Sequence, residues 1–183
     1  MLDLIVDGVF ELGYVGFFFY MVVVGTFIPL PTQLVLIPAG YLASQGRLDF
    51  ATVVLVTAMG TTTGALINYH LSNYLAQRWL GEEKGHRLRR FFDKYGKVAV
   101  FLAPLTFGLG QYISIPAGMA KMELKWFVPI IFFSNALWNS AMMLLGYMFG
   151  EEANHEATYL VVGGVLLAVG VISILVYREF RRV

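Results

Sequence analysis

The sequence predicts an all-α integral membrane protein. It reads as an inverted-topology repeat of re-entrant hairpin plus transmembrane helix, with additional transmembrane helices on its flanks. Three observations predict this class. Hydrophobic residues make up 58% of the 183 and charged residues only 14%, against about 25% charged in a soluble domain. The phrase Ile37-Pro38-Ala39-Gly40 recurs 78 residues later as Ile115-Pro116-Ala117-Gly118, each copy inside a broken apolar stretch and ahead of a long apolar run. The 13 Lys and Arg residues fall in a few clusters, which carries orientation.

Residues 1–183 read as a single membrane domain, with no room for a separate soluble unit. There is no cysteine, which rules out disulfides and thiolate chemistry. Met1-Leu2-Asp3 lacks a basic n-region, so no cleaved signal peptide is expected. Asp3, Asp7 and Glu11 stand among apolar residues at helical spacing and predict an interfacial amphipathic turn. A crossing helix needs roughly 20 apolar residues. Spans are expected at about 13–28, 50–77, 126–149 and 157–177.

Two apolar stretches do not read as spans. Residues 29–46 carry Pro29, Pro31, Pro38, Gly40 and Gly46; residues 98–120 carry Pro104, Gly108, Gly110, Pro116 and Gly118. Proline removes an amide donor and clashes with the preceding turn. Broken backbone at membrane depth is tolerated only where protein or a wet cavity surrounds it. Both stretches are therefore expected as re-entrant hairpins, with the prolines as breakers.

Charge supports that count. Basic residues crowd the segment from Arg78 to Lys97, and Arg178, Arg181 and Arg182 stand near the last residue. The positive-inside rule makes both regions cytoplasmic. Counting from there places Glu151, Glu152 and Glu156 outside, Lys121 and Lys125 inside, and residues 46–50 outside. All basic residues but Arg47 then lie inside. Both termini are expected in the cytoplasm, and the host membrane is expected to be the bacterial inner membrane.

These residues resemble a known family. Pro29-Leu30-Pro31-Thr32-Gln33, with Ala39-Gly40 and Gly46, resembles the Pro-x-Pro-x-Glu signature of the DedA family, which shares the SNARE-associated or VTT domain. Tyr95-Gly96-Lys97, Phe101 and Ile113-Ser114-Ile115-Pro116-Ala117-Gly118-Met119 resemble its second signature. Leu137-Trp138-Asn139 and Gly146-Tyr147 resemble the following helix. The resemblance implies an integral membrane protein that moves lipids or lipid-linked carriers between leaflets. It also exposes departures. Gln33 stands where the family has an acidic residue, Pro104 and Gly110 where its second signature has arginines, Ala65 where it often has Asp, and Asn73 where it has a further arginine. A buried carboxylate would be the proton site of a coupled carrier, and a buried arginine the partner of its anion.

Candidate substrate-binding residues are Gln33, Gln111, Asn135, Trp138 and Asn139. Gln33 and Gln111 each lie four residues before the repeated Ile-Pro-Ala-Gly. Asn135, Trp138 and Asn139 share a helix face by their i, i+3, i+4 spacing. The competing reading of each amide is helix-to-helix glue. Gly60, Gly64, Asn68 and Ser72 repeat every four residues and read as a packing stripe. His70 is the candidate proton site, since a histidine titrates near neutral pH. The basic run from Arg78 to Lys97 reads as a solvated loop, or as an interfacial helix on anionic lipid with Phe91 and Phe92 dipping inward.

The function expected is a membrane lipid transporter or scramblase, uncoupled from ions. The alternative is a proton- or ion-coupled carrier for undecaprenyl phosphate or another lipid-linked anion. An enzyme is not expected, because no acid, base and nucleophile converge and no metal-ligand spacing appears. Membrane lipids are the expected partners. Neither nucleic acid nor a cofactor or metal is expected, and a homo-oligomer is left open.

Overall fold

The computed structural model describes residues 8–26, 28, 30–79, 82–105 and 110–150, with side chains described at all of these except 73–88, 111 and 150. The expected span at 157–177, Pro29 and the acidic residues Asp3 and Asp7 lie outside these residues. Among the described residues every regular element is helical: α1 (Gly13–Gly25), α2 (Gln33–Ser44), α3 (Phe50–Trp79), α4 (Glu82–Leu102), α5 (Ser114–Met119) and α6 (Leu124–Gly150), with 3-10 turns at Ala103–Leu105 and Gly110–Tyr112. Two stretches, Phe50–Ser72 in α3 and Leu124–Phe149 in α6, are long and apolar enough to cross a membrane.

The long helices run antiparallel. Phe50 at the start of α3 meets Tyr147 near the end of α6, with ring centroids 6.1 Å apart. Asn139 bonds Thr57 midway. Tyr69 packs on Phe127 at 5.1 Å near the other end.

Within the stretch 13–28 the structure places helix α1. Helix α1 has 13 residues and is about 20 Å long, short of a bilayer core of about 30 Å. It runs beside α3 in the same direction. The Tyr14 hydroxyl accepts from the Asp49 amide at 3.1 Å, Gly60 lies against Phe18 and Met21, and Gly64 lies against Val22 and Gly25. The chain turns at Leu30-Pro31, where the Tyr20 hydroxyl donates to the Pro31 carbonyl at 3.0 Å. Helix α2 then returns to the face from which α1 set out. Helices α1 and α2 thus flank the Pro-rich turn. Residues 8–13 consequently lie toward the end of the molecule where α3 begins.

Helix α4 runs beside α6. Lys97 sits 3.5 Å over the Trp126 ring near the start of α6, and the Phe101 carbonyl accepts from Ser134 two turns on. Helices α2 and α5 pack on the long helices α6 and α3. Gly40 of α2 faces Met143 and Tyr147 of α6, and Gly118 of α5 faces Tyr69 and Ser72 of α3.

Helices α2 and α5 end alike. Gly46, with φ +69°, closes α2 through Gly46 N–H to Ala43 O and Arg47 N–H to Leu42 O. This is the reciprocal pair of a Schellman stop, whose left-handed residue favours glycine. Lys121, with φ +56°, closes α5 the same way, through Lys121 N–H to Gly118 O and Met122 N–H to Ala117 O. An acidic residue then opens each long helix. Asp49 Oδ1 accepts from the Thr52 amide at 2.7 Å, and the Glu123 carbonyl accepts from Trp126 and Phe127. The side-chain and backbone bonds from Thr52 hold the Asp49 carboxyl below its usual pKa.

Pro38 and Pro116 were expected to break the chain and do not. Each sits inside a helix, α2 and α5 respectively. Pro116 is the third residue of α5, where an amide has no intrahelical acceptor in any case. Pro38 is exposed and removes one bond from the middle of α2. Pro31 lies in the turn before α2 and Pro104 in the buried 3-10 turn.

The placement of α1 gives a direct test. With the chain free of native cysteine, single cysteines at 12 and 46 are expected to react with a membrane-impermeant maleimide from one side, and cysteines at 90 and 121 from the other. Reaction of positions 12 and 90 from the same side would overturn the parallel course of α1 and α3.

Candidate functional site

The polar groups of the interior gather where the helices cross. Thr57 is fully buried and Asn139 is 1% exposed. The Thr57 hydroxyl donates back to the Val53 carbonyl at 2.7 Å, the usual local bond of a threonine inside a helix. Its lone pair accepts from Asn139 Nδ2 at 3.1 Å. One turn on, Thr61 donates to the Thr57 carbonyl at 3.0 Å. Asn139 Oδ1 and Thr62 Oγ1 are buried with no partner among the described residues. An unpaired buried acceptor costs about 1–3 kcal/mol, and such groups call for an explanation.

A second node ties three elements. Asn68 of α3 is buried. Its amide donates to the Gly25 carbonyl at the end of α1 at 3.3 Å and to the Ser114 hydroxyl at the start of α5 at 3.4 Å. A third bond, from the Tyr69 hydroxyl to the Met122 carbonyl, fastens the Schellman stop of α5 to α3. The stripe Gly60, Gly64, Asn68, Ser72 is the packing face that its spacing predicted: built Cβ atoms on Gly60 and Gly64 would strike α1. Among the described residues, the buried polar side chains are neutral threonines, serines and asparagines.

The predicted residues occupy different settings. Gln33 opens α2 directly after the Pro-rich turn and is half-buried. Gln111 is the central residue of the 3-10 turn Gly110–Tyr112, with its side chain outside the description. Asn135 is half-buried on α6. Trp138 is buried in the apolar cluster with Phe17, Met21 and Val35. Asn139 is buried and bonded across helices. No hydrogen bond among the described residues joins Gln33, Asn135 and Asn139. His70 is exposed and lies edge-on to Tyr69 at 5.5 Å.

Sequence reasoning missed Thr57 and Ser134. Thr57 and Thr61 stand four apart on the longest helix, which is a signal for one polar face. The partner of Thr57 lies 82 residues away and is visible only once α3 and α6 are paired.

Comparison with known proteins places this arrangement. The model of the VTT domain matches residues 30–148, from the Pro-rich turn to the end of α6. An alkaline phosphatase-like protein of Lactococcus lactis subsp. cremoris is 23% identical, over 100% of this chain and 95% of the relative. Undecaprenyl phosphate transporter A of Staphylococcus aureus is 24% identical, over 99% of this chain and 96% of its own. The Bacillus subtilis protein of the same name is 27% identical, over 78% and 74%. No solved structure matches the chain. The match spans both arm-and-helix units, and on it the chain belongs to the VTT-domain, or DedA, family of membrane proteins.

Proposed function

We propose that the chain moves lipid head groups between the leaflets of a bacterial inner membrane. On this reading, α1 with α2 and α4 with α5 are re-entrant hairpins of an inverted-topology repeat. They enter from opposite faces and meet at the crossing of α3 and α6. The observation that carries the reading is the exchange of arms: α2 packs on α6 and α5 on α3, as two units of opposite sense would, with hydrogen-bonding groups collected between them. A head group then passes along this polar seam while its acyl chains stay in lipid. Gln33, Gln111 and Asn135 stand beside Asn139 as the residues that meet it, and Trp138 walls the seam.

Transport is uncoupled on this reading. Its support is the neutral character of the buried polar groups among the described residues. A proton- or ion-coupled carrier would carry an ionisable side chain at membrane depth. The second reading, a coupled carrier of a lipid-linked phosphate, is favoured by the name of the Staphylococcus and Bacillus relatives.

Liposomes holding the purified chain separate the two. With acyl-labelled phosphatidylethanolamine, phosphatidylglycerol and a polyprenyl phosphate analogue, transfer is expected at a rate unchanged by a protonophore. Abolition of transfer by the protonophore would establish the coupled reading, with His70 as the first residue to replace.

A further inference from the structure

Two helices change character at one level. On α4 the exposed stripe reads Arg90, Lys94, Lys97 and then Phe101, positions that steps of three and four keep on one face. The opposite face, with Phe92 and Val100, is buried in a cluster with Phe127 and Ile131. Past Lys97 the exposed surface turns apolar, with Val98 59% exposed. On α6 the exposed residues pass from Lys125 through Trp126 to Phe133 and Leu137. The two borders coincide, because Lys97 Nζ lies 3.5 Å from the centre of the Trp126 ring.

Such a border is where hydrocarbon gives way to head groups. Tryptophan concentrates there, and a lysine there lays its stem along the apolar layer with its ammonium outside it. Arg90 lies about 10 Å farther out along the helix axis, within about one Debye length at 0.1 M salt. Nearby carboxylates do not cancel the stripe. Asp93 is one acid beside Arg89, Arg90, Lys94 and Lys97, and Glu123 is held by Lys125 at 2.7 Å. We propose that Arg90, Lys94 and Lys97, with Trp126 at the inner end of the stripe, form a docking face for the head groups of acidic phospholipids of the phosphatidylglycerol class. Cationic N–H groups make strong bonds to phosphate oxygens. Phosphatidylcholine carries the same phosphate, but its trimethylammonium cancels the charge and donates nothing. A face turned only to water has no reason to run on into Val98 and Phe101. Head groups held here fix the depth of α4, which leads straight into the 3-10 turn Ala103–Leu105. The inference uses the membrane setting alone and stands apart from the transport reading.

The test reads the lipid beside the stripe. The chain has no native cysteine, so a fluorophore on Val98→Cys reports that lipid, and one on Leu55→Cys reports an exposed site toward the other end of the molecule. The full chain is held in phosphatidylcholine vesicles with a small fraction of phosphatidylglycerol or phosphatidylcholine carrying a nitroxide on the acyl chain. At position 98, phosphatidylglycerol is expected to quench at about one-fifth of the concentration that phosphatidylcholine needs, the scale of one cation near an anionic surface. That preference is expected to vanish at about 1 M salt, where the Debye length is about 3 Å. At position 55 the two lipids are expected to quench alike. Replacing the stripe by Arg90→Gln, Lys94→Gln and Lys97→Gln together is expected to bring the lipids to parity at position 98; the three side chains are exposed, and the salt series on the intact stripe stands without this variant. Parity at position 98 with the stripe intact overturns the proposal. So does a preference that survives the triple replacement, or one equally strong at position 55.

Discussion

Gly40→Ala is expected to be the most destabilising single-methyl change in the chain. A Cβ built on Gly40 would overlap the Met143 carbonyl group, lying 2.8 Å from its carbon, and would sit 2.9 Å from the Tyr147 nitrogen. All of these atoms are backbone of α6. Gly146 gives the converse contact, with its Cβ 2.8 Å from the Ile37 carbonyl carbon of α2. No side chain stands between the helices to rotate away, so the added methyl must move one helix off the other. Small residues that let backbones touch are a main source of helix association in lipid. Separation here costs the dispersion of the whole contact. Overpacking costs about 1–3 kcal/mol in ordinary cores, and the absence of any yielding atom sets both glycines at or above the top of that range. Gly96 supplies the graded comparison. Its Cβ would meet the Phe92 ring at 2.9 Å, and a ring swings aside, so Gly96→Ala is expected to cost about 1 kcal/mol at the lower end of the same range. Gly8, with nothing within 4 Å of its Cβ, is the neutral control. Thermal unfolding of the four variants in one detergent checks the order. A Gly40→Ala melt indistinguishable from Gly8→Ala would refute the close packing of α2 on α6.

That contact also shows what was readable from sequence. The glycines were visible, and so was their neighbourhood in the repeated Ile-Pro-Ala-Gly. The long helices α3 and α6 followed from length and apolarity alone. The stripe from Gly60 to Ser72 was legible because its four-residue period is local. The course of α1 was not. Residues 13–28 are apolar enough to cross, and composition does not distinguish a helix that crosses from one that ends at Gly25 and turns back. That distinction lies in long-range contacts, Tyr14 with Asp49 and Gly25 with Gly64. The prolines misled for a local reason. Pro116 stands in the first turn of its helix, where the rule against proline does not apply. For the candidate site, the sequence placed Asn139 on a helix face but not against its partner. Whether an amide offers its donor or its acceptor depends on the partner across the crossing, and Thr57 takes the donor side.

Asn68→Leu is expected to lower lipid transfer by about tenfold or more while the fold persists. Gly25 is the last residue of α1, so its carbonyl has no acceptor role within that helix. In a bilayer no water is at hand for it. Asn68 supplies the donor at 3.3 Å, and its other N–H reaches the Ser114 hydroxyl at 3.4 Å. One side chain of α3 thereby caps the end of α1 and holds the start of α5. Leucine nearly matches asparagine in size but donates nothing. Polar bonds between membrane helices are each worth about 0.6 kcal/mol on average and about 2 at most, so two of them do not decide whether the protein folds. They do decide where the turn after Gly25 sits, and that turn leads through Pro31 to Gln33. A shift of about 1 Å in a positioned group is enough for a hundredfold loss of rate in an enzyme site, and a seam that must fit a head group is sensitive in the same way. Ser114→Ala removes one of the two bonds and leaves the Gly25 cap. It is expected to cost less activity than Asn68→Leu, and Asn68→Leu on top of it is expected to add less than it does alone, because the two residues share a bond. Measured together, transfer rate and melting temperature decide the matter. If both fall in proportion across Ser114→Ala, Asn68→Leu and the double variant, Asn68 is helix glue and nothing more; if transfer falls far ahead of stability, the joint between the two arms belongs to the working part of the molecule.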